Sequence, residues 1–150
     1  MRDRSVLSSS AFIVLVSVSF AYAERIPQEP RVPERKMEQA KSLKAPFGNA
    51  RNAPSDIVAE GKRLFEGKGN CVVCHGASGR GDGPAARMQR PNPPRDFTDC
   101  AVQQARDDGE LFWIIAHGSA GTGMPRFVPG MLTEEEAWKL VAYVRSFCKT

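Results

Sequence analysis

Two cysteines and a histidine lie within five consecutive residues of this chain, Cys71-Val72-Val73-Cys74-His75. Thiols at this spacing can each add across one vinyl group of a haem, and a histidine that follows directly can coordinate the iron. The segment therefore has the pattern of a c-type haem attachment site. It predicts one haem per chain, held covalently by Cys71 and Cys74 and ligated by His75.

A Cys-x-x-Cys pair also occurs in redox-active dithiols, in zinc sites and in proteins whose two cysteines pair elsewhere. A thioredoxin-like dithiol follows a strand of a βαβ unit, and a structural zinc site needs a second pair of ligands at suitable spacing. Neither context surrounds Cys71 and Cys74. The sequence thus favours haem over these alternatives.

The amino terminus has the three parts of a secretory signal peptide. A basic start in residues 1–4 precedes a short apolar run in residues 11–20, and a small-x-small ending follows at residues 21–23. An uncleaved membrane anchor is the alternative, but the run is shorter than the ~20 residues that span a bilayer. We therefore expect cleavage after Ala23 and a periplasmic protein.

Residues 24–54 differ in composition from the residues that follow. They contain five prolines, many charges and few large apolar side chains. This composition favours an extended or disordered segment, although residues 34–43 are compatible with a short helix. The expected organisation is a signal peptide in residues 1–23, a linker or docking tail in residues 24–54 and one folded domain in residues 55–150.

The folded part has the sequence pattern of an all-α domain. Apolar residues recur at helical spacing behind Ser55 and again behind Thr133, which opens a capping box. Residues 107–117 begin with acidic side chains and end before a glycine, which favours a third helix. Residues 76–98 are rich in Gly, Pro and Arg without helical or strand periodicity, and this predicts a long loop.

The haem motif continues into Gly76, and two further segments follow, Gly81-Asp82-Gly83-Pro84-Ala85-Ala86 and Gly123-Met124-Pro125. On these residues the chain from 55 to 148 resembles the single-haem class I c-type cytochromes of bacteria. The resemblance implies an all-α cytochrome c fold, with three to five helices packed around one covalently attached haem. Residues 76–98 are then expected to cover the proximal side of that haem.

The resemblance also assigns roles outside the motif. The helix that contains Gly61 is expected to cross closely against the helix that contains Leu140. In the proximal loop, a proline carbonyl is expected to accept the proton on the second ring nitrogen of His75, which would fix the orientation of the ring. Pro93 and Pro94 are the two candidates for that carbonyl.

The second axial position of the iron has four candidate thioethers in the expected mature chain, namely Met37, Met88, Met124 and Met131. Most methionines fill cores, so the local context decides. Met124 lies between Gly123 and Pro125, as in the distal loop that the resemblance implies, and it is the predicted ligand. Met131 is the alternative. His117 precedes a helix-ending glycine, a place more typical of a residue that stabilises the helix terminus than of a ligand.

Cys100 and Cys148 remain once the haem motif has taken two of the four cysteines. In an exported protein, an even number of remaining cysteines favours a disulfide bond. The bond would tie the segment after the proximal loop to the end of the last helix. Two buried free thiols are the alternative.

The net charge of +4 arises before residue 55, because residues 55–150 carry equal numbers of basic and acidic side chains. An exported neutral domain gives no support for nucleic-acid binding. Five cations nevertheless flank the haem motif: Lys68, Arg80, Arg87, Arg90 and Arg95. Around an exposed haem edge they would attract a redox partner with an acidic docking face; otherwise they form a solvated, locally compensated surface.

These features predict a periplasmic carrier of single electrons rather than an enzyme, with His75 and Met124 as iron ligands. Such a pair raises the reduction potential and leaves no open position for a small-molecule substrate. A protein donor and a protein acceptor would be its partners, and it would reach a membrane only through them. Two alternatives stay open: a haem subunit of a respiratory, dehydrogenase or reductase complex, and a gas-binding sensor with an open distal site. Conceivable contacts for the haem propionates are Arg95, Trp113 and Arg126.

Overall fold

The computed structural model describes Glu29 and residues 31–148. The predicted signal peptide lies outside these residues. The described part contains six α-helices and no strand: α1 (Met37–Ser42), α2 (Ser55–Glu66), α3 (Val72–His75), α4 (Cys100–Gln104), α5 (Asp108–His117) and α6 (Glu134–Ser146). Three short 3₁₀ turns accompany them, at Glu34–Lys36, Ala50–Asn52 and Ala86–Met88. The predicted all-α class is confirmed. None of the described helices is long and apolar enough to cross a membrane.

Helices α2 and α6 cross at Gly61, as the sequence predicted. A Cβ atom at Gly61 would lie 2.1 Å from the carbonyl oxygen of Lys139 and 2.9 Å from Cβ of Tyr143. The two backbones therefore approach more closely than any side chain at this position would allow. Phe65 and Leu140 are both buried in the cluster that this crossing forms.

We expect Gly61→Ala to destabilise the protein by about 1–3 kcal/mol, the usual cost of overpacking a core. Alanine favours a helix interior over glycine by about 1 kcal/mol, but a contact with backbone cannot be relieved by rotating a side chain. Chemical denaturation measures the change. Gly130→Ala is the matched control, because nothing lies within 4 Å of its added Cβ. A Gly61→Ala protein as stable as the native one would contradict the close crossing.

Residues 31–53, here called the amino-terminal segment, pack against the helices, which differs from the extended tail expected from composition. A Cβ atom at Gly109 in α5 would lie 2.0 Å from the carbonyl oxygen of Ala40. The backbone N–H of Ala50 donates a hydrogen bond of 2.9 Å to the carboxylate of Asp108. Small side chains allow this close packing, so the segment folds with the domain despite its prolines and charges.

A buried arginine and a disulfide join the other end of α6 to α4 and α5. Arg145 is only 4% exposed. Its Nε donates to Asp108 Oδ1 at 2.7 Å, and its Nη1 donates to the side-chain oxygen of Gln103 at 3.0 Å. Cys100 and Cys148 are bonded to each other, which confirms the predicted pairing. These links fix three helices around one side of the cavity described next.

Candidate haem site

The haem motif forms the single turn of α3, and the loop that follows folds back to pair with it. Three loop N–H groups donate to carbonyl oxygens at the end of the turn: Ala85 to Val73 (2.8 Å), Gly83 to Cys74 (3.1 Å) and Gly81 to His75 (2.9 Å). A Cβ atom at Gly83 would lie 2.5 Å from the carbonyl oxygens of Val72 and Val73. The glycine-rich loop therefore supplies hydrogen-bond donors to the backbone carbonyl groups at the end of this one-turn helix.

The four predicted site residues line one cavity. Cys71, Cys74 and His75 are contributed by the haem motif, and Met124 by the loop before α6. The empty space of the cavity, including its open mouth, is about 1350 Å³. Most of the remaining wall is apolar, with Leu111, Ile114 and Ile115 from α5 and Leu140 and Val144 from α6. A ligand that fits this wall is mostly apolar.

The imidazole of His75 is buried and oriented by a backbone carbonyl. Its Nδ1 lies 3.3 Å from the carbonyl oxygen of Arg95. The prediction of Pro93 or Pro94 as the acceptor is therefore wrong, because the acceptor is the residue that follows them. Because a carbonyl only accepts, Nδ1 carries the proton and Nε2 keeps its lone pair. Burial lowers the pKa of His75 to about 4, so the ring is neutral at pH 7. This is the form that ligates a metal.

Phe97 forms a second contact to the same ring, and the sequence did not indicate it. Its ring stacks on the imidazole of His75, with centroids 4.4 Å apart and planes 17° apart. The N–H of Phe97 donates to the carbonyl oxygen of Gly79 at 2.7 Å, which fixes the end of the proximal loop. The histidine is thus held by a hydrogen bond and by a stacked ring.

Met124 belongs to a tight turn between α5 and α6. Its carbonyl accepts from the N–H of Ser119 at 3.1 Å, and its own N–H donates to Thr122 Oγ1 at 3.1 Å. Gly118, at φ 78°, begins this turn, and a Cβ atom there would lie 2.8 Å from the carbonyl oxygen of Met124. The turn thus fixes the backbone of Met124 at the cavity.

The alternative ligands lie elsewhere. Met131 is 51% exposed, Met88 is 76% exposed, and neither lines the cavity. Met37 packs in the cluster around Trp113. His117 is exposed; its ring stacks on Trp113 with centroids 3.9 Å apart. Of the four candidate methionines, Met124 alone lines the cavity that the haem motif also lines.

The thiols at the cavity fit haem better than they fit a metal ion alone. Cys71 and Cys74 are not bonded to each other or to another cysteine. Burial raises the pKa of the Cys71 thiol to about 12, so this sulfur is a neutral thiol at pH 7. Among the described residues, no three His, Cys, Asp or Glu side chains are grouped so that they could hold a metal ion. Two thiols, a neutral imidazole and a thioether around an apolar space fit a haem.

Of the five cations that flank the haem motif in the sequence, one lines the cavity. Arg95 lines it, but the Lys68 ammonium pairs with both carboxylate oxygens of Glu136 at 2.7 Å. The remaining three, Arg80, Arg87 and Arg90, are exposed and do not line the cavity. The wall contains two other arginines instead, Arg31 and Arg106. Two of the conceivable propionate contacts, Trp113 and Arg126, are not part of it.

The family model of Cytochrome c matches residues 58–147. The chain belongs to the cytochrome c family. The predicted family and fold are thereby confirmed, and members of this family bind haem c covalently. No curated protein matches this cytochrome.

Several solved structures are similar to this cytochrome. A reducing HAO-like protein complex of Kuenenia stuttgartiensis contains a chain with 34% identity and a TM-score of 0.57, over 64% of this chain and 46% of the other. This cytochrome thus spans less than half of that protein's length. The c-type cytochrome KustC0563 has 29% identity and a TM-score of 0.49, over 59% of this chain and 98% of the other. Cytochrome cL of Methylophaga aminisulfidivorans has 19% identity and a TM-score of 0.48, over 84% and 71%.

Proposed function

We propose that this protein carries single electrons between protein partners through one haem c, attached at Cys71 and Cys74 and ligated by His75 and Met124. The observation that supports the proposal is the convergence of these four side chains on one apolar cavity. The haem iron supplies a one-electron couple between its ferric and ferrous states.

The chain's own residues prepare the site for this role. Arg95 and Phe97 hold the imidazole of His75 in one orientation and one protonation state. The turn around Met124 presents a thioether, a ligand that raises the reduction potential. Helices α5 and α6 exclude water with apolar side chains. With His75 and Met124 as ligands, the haem iron would rearrange little on electron transfer, and the site would offer no place for a substrate.

The proposed location is the periplasm, on the strength of the signal peptide pattern in residues 1–23. A protein donor and a protein acceptor are the proposed partners. The exposed arginines of the proximal loop, Arg80, Arg87 and Arg90, favour acidic docking faces on these proteins.

The optical spectrum of the reduced holoprotein, recorded before and after addition of carbon monoxide, tests the proposal. The protein must be produced in a host that attaches haem in its periplasm. A c-type spectrum that carbon monoxide leaves unchanged is expected, because His75 and Met124 would both ligate the iron. A large shift would mean an open distal position and would favour the gas-binding sensor. Absence of covalent haem would contradict the whole proposal.

A haem subunit of a larger redox complex is the second candidate. The 34% identity to a chain of a reducing HAO-like protein complex favours it. Haem absorbance followed through gel filtration of an extract from the native cells distinguishes the two roles. A free carrier elutes at the mass of a single small chain, whereas a subunit elutes with its complex.

A further inference from the structure

The amino-terminal segment reaches the cavity that contains the haem motif. Arg31 and Val32 line that cavity, and Val32 is buried. Arg31 Nη2 donates a hydrogen bond of 2.8 Å to the carbonyl oxygen of Pro93. The guanidinium of Arg95 in turn donates to the carbonyl oxygen of Glu29. Two hydrogen bonds therefore join residues 29–32 to residues 93–95. The backbone carbonyl of Arg95 in that second segment orients His75.

Three arginines line this cavity, Arg31, Arg95 and Arg106. Burial and, to a smaller extent, the charges of Arg31 and Arg106 lower the pKa of Arg95 to about 10. Burial also lowers the pKa of Arg31. The cations are thus close enough to repel each other in a partly desolvated place. An anion bound among them would relieve this repulsion.

Two acidic side chains also line the cavity, and both take part in local backbone contacts. The Asp96 carboxylate accepts from the N–H of Thr98 at 2.8 Å and from its hydroxyl at 2.6 Å. Glu110 accepts from the N–H of Asp107 at 2.8 Å, as part of the capping box of α5. The wall thus contains three arginines and two carboxylates among mostly apolar side chains.

We propose that Arg31, together with Arg95 and Arg106, binds the two propionate carboxylates of the haem, and that the amino-terminal segment thereby helps to set the reduction potential. This inference rests on the proposed function. Haem is an apolar macrocycle with two carboxylates on one edge, which matches an apolar cavity with guanidinium groups in its wall. Arginine binds a carboxylate through two parallel hydrogen bonds, and it remains charged when partly buried.

The sign of the effect on the potential follows from Coulomb's law. The ferric site carries one positive charge more than the ferrous site. A guanidinium nearby therefore destabilises the oxidised form relative to the reduced form and raises the potential. Removal of Arg31 is expected to lower the potential.

Equilibrium redox titration of the holoprotein tests the proposal with Arg31→Gln and a matched control. Arg35→Gln removes the same charge from the same segment, but Arg35 is exposed and does not line the cavity. We expect Arg31→Gln to shift the electron-transfer equilibrium constant against a reference couple by on the order of tenfold, or about 59 mV for one electron, towards the oxidised form. Arg35→Gln should shift it much less. Equal shifts in the two variants, or none, would overturn the proposal.

Arg31→Lys separates charge from geometry, and it carries the test if Arg31→Gln does not accumulate as holoprotein. Lysine keeps the positive charge but lacks the planar fork. The variant should therefore keep most of the potential, while the propionate vibrations in its resonance Raman spectrum change. Native propionate vibrations in Arg31→Lys would overturn the assignment of Arg31.

The reduction potential of the variants tests the propionate contacts, whereas covalent haem in the native protein tests the proposed function. If native protein and variants all carry covalent haem with the same spectrum, and Arg31→Gln has the native potential, the propionate assignment alone is wrong. If the native protein itself carries no covalent haem, the proposed function is wrong and the inference with it.

Discussion

We expect reduced Met124→Ala holoprotein to bind carbon monoxide completely and the native protein to leave it unbound. Met124 is the one candidate thioether of the described chain that lines the cavity. Its removal would leave the iron with His75 as the only axial protein ligand. The reduction potential should also fall, because a thioether ligand favours the reduced iron. Optical titration with carbon monoxide and equilibrium redox titration measure the two effects.

Met131→Ala is the matched control for this experiment. Met131 was the alternative ligand from the sequence, and its side chain is 51% exposed outside the cavity. The variant should keep the native spectrum and stay unreactive to carbon monoxide. The opposite outcome, with Met131→Ala reactive and Met124→Ala unreactive, would mean that the turn around Met124 does not supply the ligand.

Residue types and close neighbours were sufficient to select four side chains that line one cavity in the structure. The motif of Cys71, Cys74 and His75 carries its own spacing, and Met124 is marked by the glycine and proline on either side. The crossing at Gly61 was implied by the resemblance to c-type cytochromes, and only a glycine allows two helix backbones so near each other.

Contacts made by backbone atoms or by distant residues could not be predicted in the same way. The backbone carbonyl is the same in every residue. Nothing in the sequence therefore distinguishes Arg95 from Pro93 or Pro94 as the acceptor for His75. Phe97 was one more apolar residue in a loop, and its stacking on the imidazole depends on how that loop folds back. Such contacts are decided by the tertiary fold.

The amino-terminal segment shows how composition can mislead. Its prolines and charges are typical of extended chain, yet Ala40, Ala45 and Ala50 are all buried. Alanine contributes little to a hydrophobicity profile, but its small size lets the backbone contact α5 directly at Gly109. The signal that was available was a recurrence of alanine among the prolines. Because the segment was expected to be extended, the sequence did not predict that its Arg31 lines the cavity.

The double variant Cys71→Ala/Cys74→Ala is expected to lose all covalently attached haem. Each cysteine is proposed to form one thioether bond, and each single variant should keep the other bond. Haem staining after denaturing electrophoresis measures attachment directly, because noncovalent haem is removed by the denaturant. Covalent haem in the double variant would contradict the proposed attachment residues.

The variant Cys100→Ser/Cys148→Ser removes the same number of thiols and serves as the matched control. It should keep its covalent haem, because these two sulfurs are bonded to each other. It should nevertheless be less stable by about 4 kcal/mol, the loop-closure contribution of a disulfide spanning 48 residues. Treatment of the native holoprotein with a reductant tests the dithiol alternative for the motif. A reductant opens a disulfide but not a thioether, so the reduced holoprotein should expose the thiols of Cys100 and Cys148 and none from Cys71 or Cys74.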